Sequence, residues 1–312
     1  MGPRELIKPT DIRRETVLTW AWASLVANVG IILTGGLVRL TGSGLGCPTW
    51  PQCTDGSFVP HSSLGIHGAI EFGNRLLTYV LIAIAIVSFV TVRRWRGSTA
   101  LMRRLTLGIG LGIPFQGVIG GFTVLTNLNP WVVALHLLLS MALVVAATVL
   151  VVSVRGGRGS QVPDRLSRRL VHLAYGVLLV AIYLGTIVTG SGPHAGDADA
   201  PRNGLNPESW SRVHALSVWL LIGLSLLIAW RLRGHPARRA VLFVIAAELL
   251  QGAIGYVQYF TGLPVVLVAA HLLGAAVMLG CMTYLVLLVT PAGTAPAQAD
   301  VAAQAGLSRP RG

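Results

Sequence analysis

Four histidines stand where intramembrane chemistry would be expected. His67, His136, His214 and His271 each lie a few residues inside a long apolar stretch. At about 1.5 Å of rise per residue, all four are expected within roughly 10 Å of one end of their helices. A single histidine in such a place is ordinarily a hydrogen bond to a neighbouring helix. Four at one depth, two in each half of the chain, point instead to axial ligation of haem iron, which a four-helix bundle can supply from facing helices. Zinc or copper is the weaker reading, because no carboxylate or cysteine recurs beside each histidine. His61, His172, His194 and His235 fall in loops or near helix ends and are expected to be solvated or interfacial.

Two acidic residues also fall within apolar stretches. A carboxylate in hydrocarbon is costly and usually functional. Glu71 follows His67 by four residues and precedes Asn74 by three, so the three share one helix face, with Arg75 alongside. Glu71 either neutralises Arg75 or hydrogen-bonds His67, or else handles a proton or orients a substrate. Glu248 is expected to make a structural polar contact, with Gln251 one turn on. Cys47 and Cys53, six residues apart in a connection rich in proline, either close a small disulfide ring or remain free thiols. Cys281 reads as a packed apolar residue.

These residues need a membrane scaffold. The 312-residue chain is 53% hydrophobic and 11% charged, against about a quarter charged in soluble proteins. Eight apolar spans are expected at 17–40, 64–92, 103–125, 131–154, 168–190, 210–231, 238–260 and 264–290, each near the roughly 20 residues that cross a bilayer. The fold class is therefore all-α integral membrane. The first span is too long for a signal-peptide core. The net charge of +13 does not indicate nucleic acid, because 20 of the 24 basic residues lie in the tails and every second connection. That pattern places those segments, and both termini, in the cytoplasm, with anionic lipid headgroups as partners.

The chain repeats itself. Gln116-Gly-Val-Ile-Gly120 recurs as Gln251-Gly-Ala-Ile-Gly255, and His136-Leu-Leu recurs as His271-Leu-Leu, both at an offset of 135 residues. Thr41-Gly-Ser-Gly44 recurs as Thr189-Gly-Ser-Gly192. The expected organisation is a tail at 1–16, a four-helix half at 17–154, a second half at 168–290, and a disordered tail at 291–312. The repeat offset covers an even number of spans, so the halves should run parallel, related by an axis along the membrane normal. Transporters also use parallel repeats, but their sites lie at the midplane, whereas the polar residues here gather at one face.

The segment Thr-Gly-Ser-Gly-Leu-Gly-Cys47-Pro, the segment Glu71-Phe-Gly-Asn74-Arg75, the histidines of spans four, six and eight, and the repeated halves together resemble the haem A synthase family in its bacterial form. The resemblance covers about residues 17–290. It implies oxidation of a methyl group of haem O to a formyl group through successive hydroxylations, in the plasma membrane, giving haem A for terminal oxidase assembly. It implies a haem b cofactor in the second half, on His214 and His271, and substrate haem in the first half. Glu71 falls on the family's essential glutamate, and Cys47 and Cys53 match a pair associated with a redox-active disulfide. A complex with a haem O synthase is a further implied partner. The family motif often reads Glu-x-x-His-Arg, whereas this chain carries Asn74 at the histidine position. His67, at the depth expected for the other three, is the expected span-two ligand, with Asn74 and Arg75 lining the pocket beside His136. The competing reading is a membrane cytochrome b with two histidine-ligated haems that passes electrons to or from quinone.

Overall fold

The computed structural model describes residues 12–291; the first eleven residues and most of the expected tail at 291–312 lie outside the described residues. Eight helices are long and apolar enough to cross a membrane. They are α1 (Arg14–Leu40), α2 (Gly65–Arg94), α3 (Ala100–Leu125), α4 (Pro130–Arg155), α5 (Arg165–Ser191), α6 (Pro207–Arg231), α7 (Arg238–Phe260) and α8 (Val265–Val289). The fold is an all-helical, multi-pass membrane protein. Helix ends fall within a few residues of the expected spans, and α1 begins three residues earlier, at Arg14.

Helix starts are set by local side chains. Asn129 caps α4 by accepting from the Trp131 N–H, and Asn206 caps α6 by accepting from the Ser209 N–H; Pro130 and Pro207 follow at the first helical position, where the missing N–H is harmless. Thr99 and Asp164 cap α3 and α5 in the same way. Gly156 ends α4 at φ 70°, a left-handed conformation glycine adopts without penalty. Inside the apolar stretches, Thr106, Thr148 and Thr283 return their hydroxyls to carbonyls one turn back, which satisfies those three donors in hydrocarbon.

Helix α1 packs on α2 and α4, and α3 joins α2 and α4, so the first four helices close a ring. The last four close a second ring through α5–α6, α6–α7, α7–α8 and α5–α8. Among the described residues, α1–α8, α4–α8 and α4–α5 join the rings. One buried cluster, including Ala85, Ile109, Leu150 and Val151, fills the first ring. A larger one, with Leu178, Leu221, Val244, Leu279 and Met282, fills the second and takes in Ile32, Met141 and Val144 of the first.

The loops between α1 and α2 and between α5 and α6 meet at one end of the bundle, here called the histidine end. The Gly44 N–H donates to the Gly196 carbonyl at 2.7 Å. Arg39 at the end of α1 donates to the His194 carbonyl at 2.6 Å and the Thr189 carbonyl at 3.0 Å. Both Thr-Gly-Ser-Gly turns are thus tied together.

Candidate functional site

In the second ring, α6 and α8 stand on the diagonal and present His214 and His271 across it. The ring centroids are 6.4 Å apart and the planes are 80° to one another. An imidazole nitrogen lies about 2 Å from a bound metal ion and about 1 Å from its own ring centre, so two rings on opposite sides of one ion have centres roughly 6 Å apart. The observed spacing meets that requirement. His214 Nδ1 lies 2.9 Å from the Ala181 carbonyl. A carbonyl only accepts, so Nδ1 carries the proton and Nε2 keeps its lone pair for a metal. His271 Nδ1 is buried with no hydrogen-bond partner. Its backbone carbonyl accepts from Gln251 Nε2 at 2.9 Å. Gly255 lets α7 close on the ring, since a Cβ there would lie 3.3 Å from His271 Cε1.

Among the described residues, no three His, Cys, Asp or Glu side chains group as a metal site. A protein-only zinc centre needs four ligands. Haem needs only one or two from the protein, because the porphyrin supplies the rest. The donor set therefore fits haem iron.

The first ring reproduces one side of this arrangement. The His136 carbonyl accepts from Gln116 Nε2 at 3.0 Å, His136 Nδ1 is buried without a partner, and a Cβ on Gly120 would lie 3.4 Å from its Cε1. Gln116 also reaches Ser140 Oγ at 2.8 Å. The other side differs. His67 is exposed, and its Nδ1 lies 2.9 Å from Ser43 Oγ in the Thr-Gly-Ser-Gly turn. Among the described residues, no ring contact joins His67 to His136. The expected common depth of the four histidines holds for three. His67 is the third residue of α2, whereas His136, His214 and His271 are the seventh or eighth of their helices. Helix α2 is also longer, at 30 residues against 25 or 26.

Asn74 is the α2 residue at the deeper level. Its Oδ1 accepts from Thr34 Oγ1 at 2.8 Å. Thr34 lies seven residues before the first Thr-Gly-Ser-Gly turn, and the α5 residues around His214, Ala181 and Gly185, lie eight and four residues before the second.

Glu71 and Arg75 bind the α1–α2 loop to α2. The Cys47 N–H donates to Glu71 Oε2 at 2.5 Å. Arg75 donates to Glu71 Oε1 through Nε at 3.1 Å and Nη2 at 2.5 Å. The same guanidinium reaches the carbonyls of Cys47, Thr49 and Gln52 at 3.0, 3.1 and 3.1 Å. Glu71 is 6% exposed, and its pairing is with Arg75 and the loop; His67 pairs with Ser43 instead. Cys47 and Cys53 are joined as a disulfide inside this loop. Gly46 packs so closely on α2 that a Cβ would lie 2.2 Å from the His67 carbonyl, and Trp50 covers Gly121 of α3.

Glu248 is 1% exposed and accepts from Ser225 Oγ on α6 at 2.7 Å, while its Oε2 has no partner. The expected bond to Gln251 does not form, because Gln251 turns to the His271 carbonyl. Sequence reasoning also passed over Thr34, which carries no pattern of its own, and gave no role to Ser43, although it belongs to the repeated Thr-Gly-Ser-Gly segment. The glycines beside His136 and His271 had a signal, since both close the repeated Gln-Gly-x-Ile-Gly motif.

Known proteins resemble this chain over most of its length. A heme A synthase of Bacillus cereus strain G9842 is 27% identical over 299 residues, covering 86% of this chain and 93% of the relative. One from Alkalihalophilus pseudofirmus is 25% identical over 292 residues, covering 86% and 96%. One from Bacillus anthracis strain CDC 684 is 26% identical over 301 residues, covering 86% and 93%. The model of the COX15-CtaA family matches residues 18–201, more than half of the sequence, and the chain belongs to this family of cytochrome oxidase assembly proteins.

Proposed function

We propose that the chain is a haem A synthase, oxidising a methyl group of haem O to the formyl group of haem A for terminal oxidase assembly. The observation that carries this reading is the His214–His271 pair, set one metal ion apart within a chain of this family. These two histidines would hold haem b as a resident cofactor, which when bound supplies a one-electron carrier. The substrate haem O occupies the first ring, with His136, His67, Asn74 and Arg75 around it and Glu71 as the group at the reacting edge. Exchanging α1–α4 for α5–α8 leaves the helix contacts unchanged. That supports reading residues 17–154 and 168–290 as two halves related by an axis along the membrane normal.

Glu71 has two tasks in this reading. Held by the Cys47 N–H and Arg75, it keeps the loop over the first ring. Its carboxylate is also the acidic side chain on the same α2 face as Asn74, where it orients substrate or accepts a proton as the methyl group is oxidised. Arg75 fixes the carboxylate and offers a cation near the porphyrin edge. The Cys47–Cys53 disulfide acts on the loop that Glu71 anchors. The basic connections support a bacterial plasma-membrane orientation in which the opposite end of the bundle faces the cytoplasm. A complex with a haem O synthase would deliver the apolar substrate through the bilayer.

The test is co-expression with a haem O synthase, followed by purification and chromatography of the extracted haem. Haem A together with haem b is the expected result. Finding no haem on the protein overturns the proposal. Haem b alone, twice per chain and never modified, would favour the electron-transfer cytochrome.

A further inference from the structure

The two rings share their α4 and α8 histidine environments and differ in what faces them. His136 and His271 each have a glutamine on the carbonyl, a glycine under the ring and a buried, unpartnered Nδ1. Across the second ring stands His214. Across the first, at the corresponding level of α2, stands Asn74.

Resting on the haem-binding reading above, we propose that the substrate iron is ligated by His136 alone. Asn74 caps its opposite face and leaves one coordination position open to a small diatomic ligand. The chemistry of the amide carries the first part. Asn74 Oδ1 accepts the Thr34 hydroxyl, an amide nitrogen has no free lone pair for a metal, and the remaining carbonyl lone pair is a hard oxygen donor that suits Mg²⁺ or Ca²⁺ rather than haem iron. Asn74 therefore does not replace an imidazole. Its Nδ2 makes no hydrogen bond among the described residues and is free to donate to a ligand bound at the open position.

The position of His67 carries the second part. It lies seven residues from Asn74, about 10 Å along the helix, and is bonded to Ser43 at the turn. For His67 to reach the level of His136, α2 would have to slide inward by two turns. The close packing of Gly46 and Gly68 where the loop meets the start of α2 opposes that. The Glu71–Cys47 and Arg75–loop bonds oppose it as well.

The experiment uses the full chain, purified with its haems after co-expression with a haem O synthase, reduced with dithionite and titrated with carbon monoxide. A haem ligated on both faces by histidine resists carbon monoxide, whereas one with an open face binds it. The expected result is a single carbon monoxide bound per chain carrying two haems. Asn74→His should cut that binding more than about tenfold, by supplying a second imidazole where His214 supplies one. His172→Ala, which alters a histidine at the opposite end of the bundle beside Thr290, should leave it unchanged. Should Asn74→His fail to accumulate, Asn74→Ala replaces it and is expected to retain carbon monoxide binding. A wild-type chain with two haems and no carbon monoxide adduct overturns the inference and leaves the haem A synthase reading standing. So does an adduct that arises only in His67→Ala. A chain that never holds haem in the first ring overturns both.

Discussion

The second ring and the first ring differ in how much of each site is finished by the helices themselves. In the second, both histidines lie on rigid helices, and each is held by groups within its own ring. In the first, His136 is held in the same way, but the facing side is completed by a loop. Cys47, Thr49 and Gln52 converge on Glu71 and Arg75. A site closed by helices suits a permanently bound group, while one closed by a loop suits a molecule that must enter and leave. The difference is one reason for proposing a cofactor in one ring and a substrate in the other.

The largest expected effect separates the rings directly. His214→Ala or His271→Ala should remove the resident haem, lowering its occupancy by more than about tenfold, since even partners beyond the ligands cost about 10–100-fold at metal sites. His67→Ala should leave that haem in place, and haem content of the purified variants is the readout. Equal loss in all three would break the comparison. Next comes Glu71→Gln, which keeps an acceptor for the Cys47 N–H and removes the charge. Haem A formation should fall by about 10²–10⁴ if the carboxylate moves a proton, with haem content unchanged. Unaltered haem A formation in Glu71→Ala would remove Glu71 from the chemistry.

A smaller effect concerns the loop. Replacing Cys47 and Cys53 together with alanine should cost about 2 kcal/mol of stability, the entropy of opening so short a ring, read as a lower Tm in detergent. The glutamine pair gives a finer test. Gln116→Ala in a Ser140→Ala background, where the extra Gln116–Ser140 bond is already gone, and Gln251→Ala each remove one bond to a histidine carbonyl and should each cost about 1 kcal/mol. A marked inequality would show that the shared side of the two sites is not equivalent. The smallest effect lies at the far end of the molecule. Asp164 is held at about 2, below its ordinary 3.8, chiefly by the Ser167 hydroxyl and N–H that it receives as the cap of α5. A lowered carboxylate pKa stabilises the fold above the ordinary value and loses that contribution as pH falls toward 2. The Tm gap between wild type and Asp164→Asn should be constant above about pH 4 and shrink below it.

Much of this was legible in the residues. Hydropathy located eight spans because a helix must fill the bilayer with apolar side chains, a local and strong requirement. The glutamine–histidine relation was visible as a repeat before its geometry was known. Depth was less legible. Counting from the expected start of each span treats all starts as level, whereas His67 is the third residue of α2 and the other three histidines are the seventh or eighth of their helices. Partner choice was least legible. Ser225 on Glu248, Thr34 on Asn74 and the loop carbonyls on Arg75 are separated by 23 to 40 residues. They depend on how helices rotate against one another, which no single stretch encodes.

The crossing of Arg39 to the second Thr-Gly-Ser-Gly turn, with the Gly44–Gly196 bond beside it, bears on how such a molecule could have diversified. A duplicated unit is free to specialise only where its copies do not constrain each other. Here an arginine of the first ring is committed to the backbone beside the second ring, at the histidine end. The two units are therefore expected to behave as a single heritable block. A chimera that takes one half from a distant relative should need the relative's opposing turn as well.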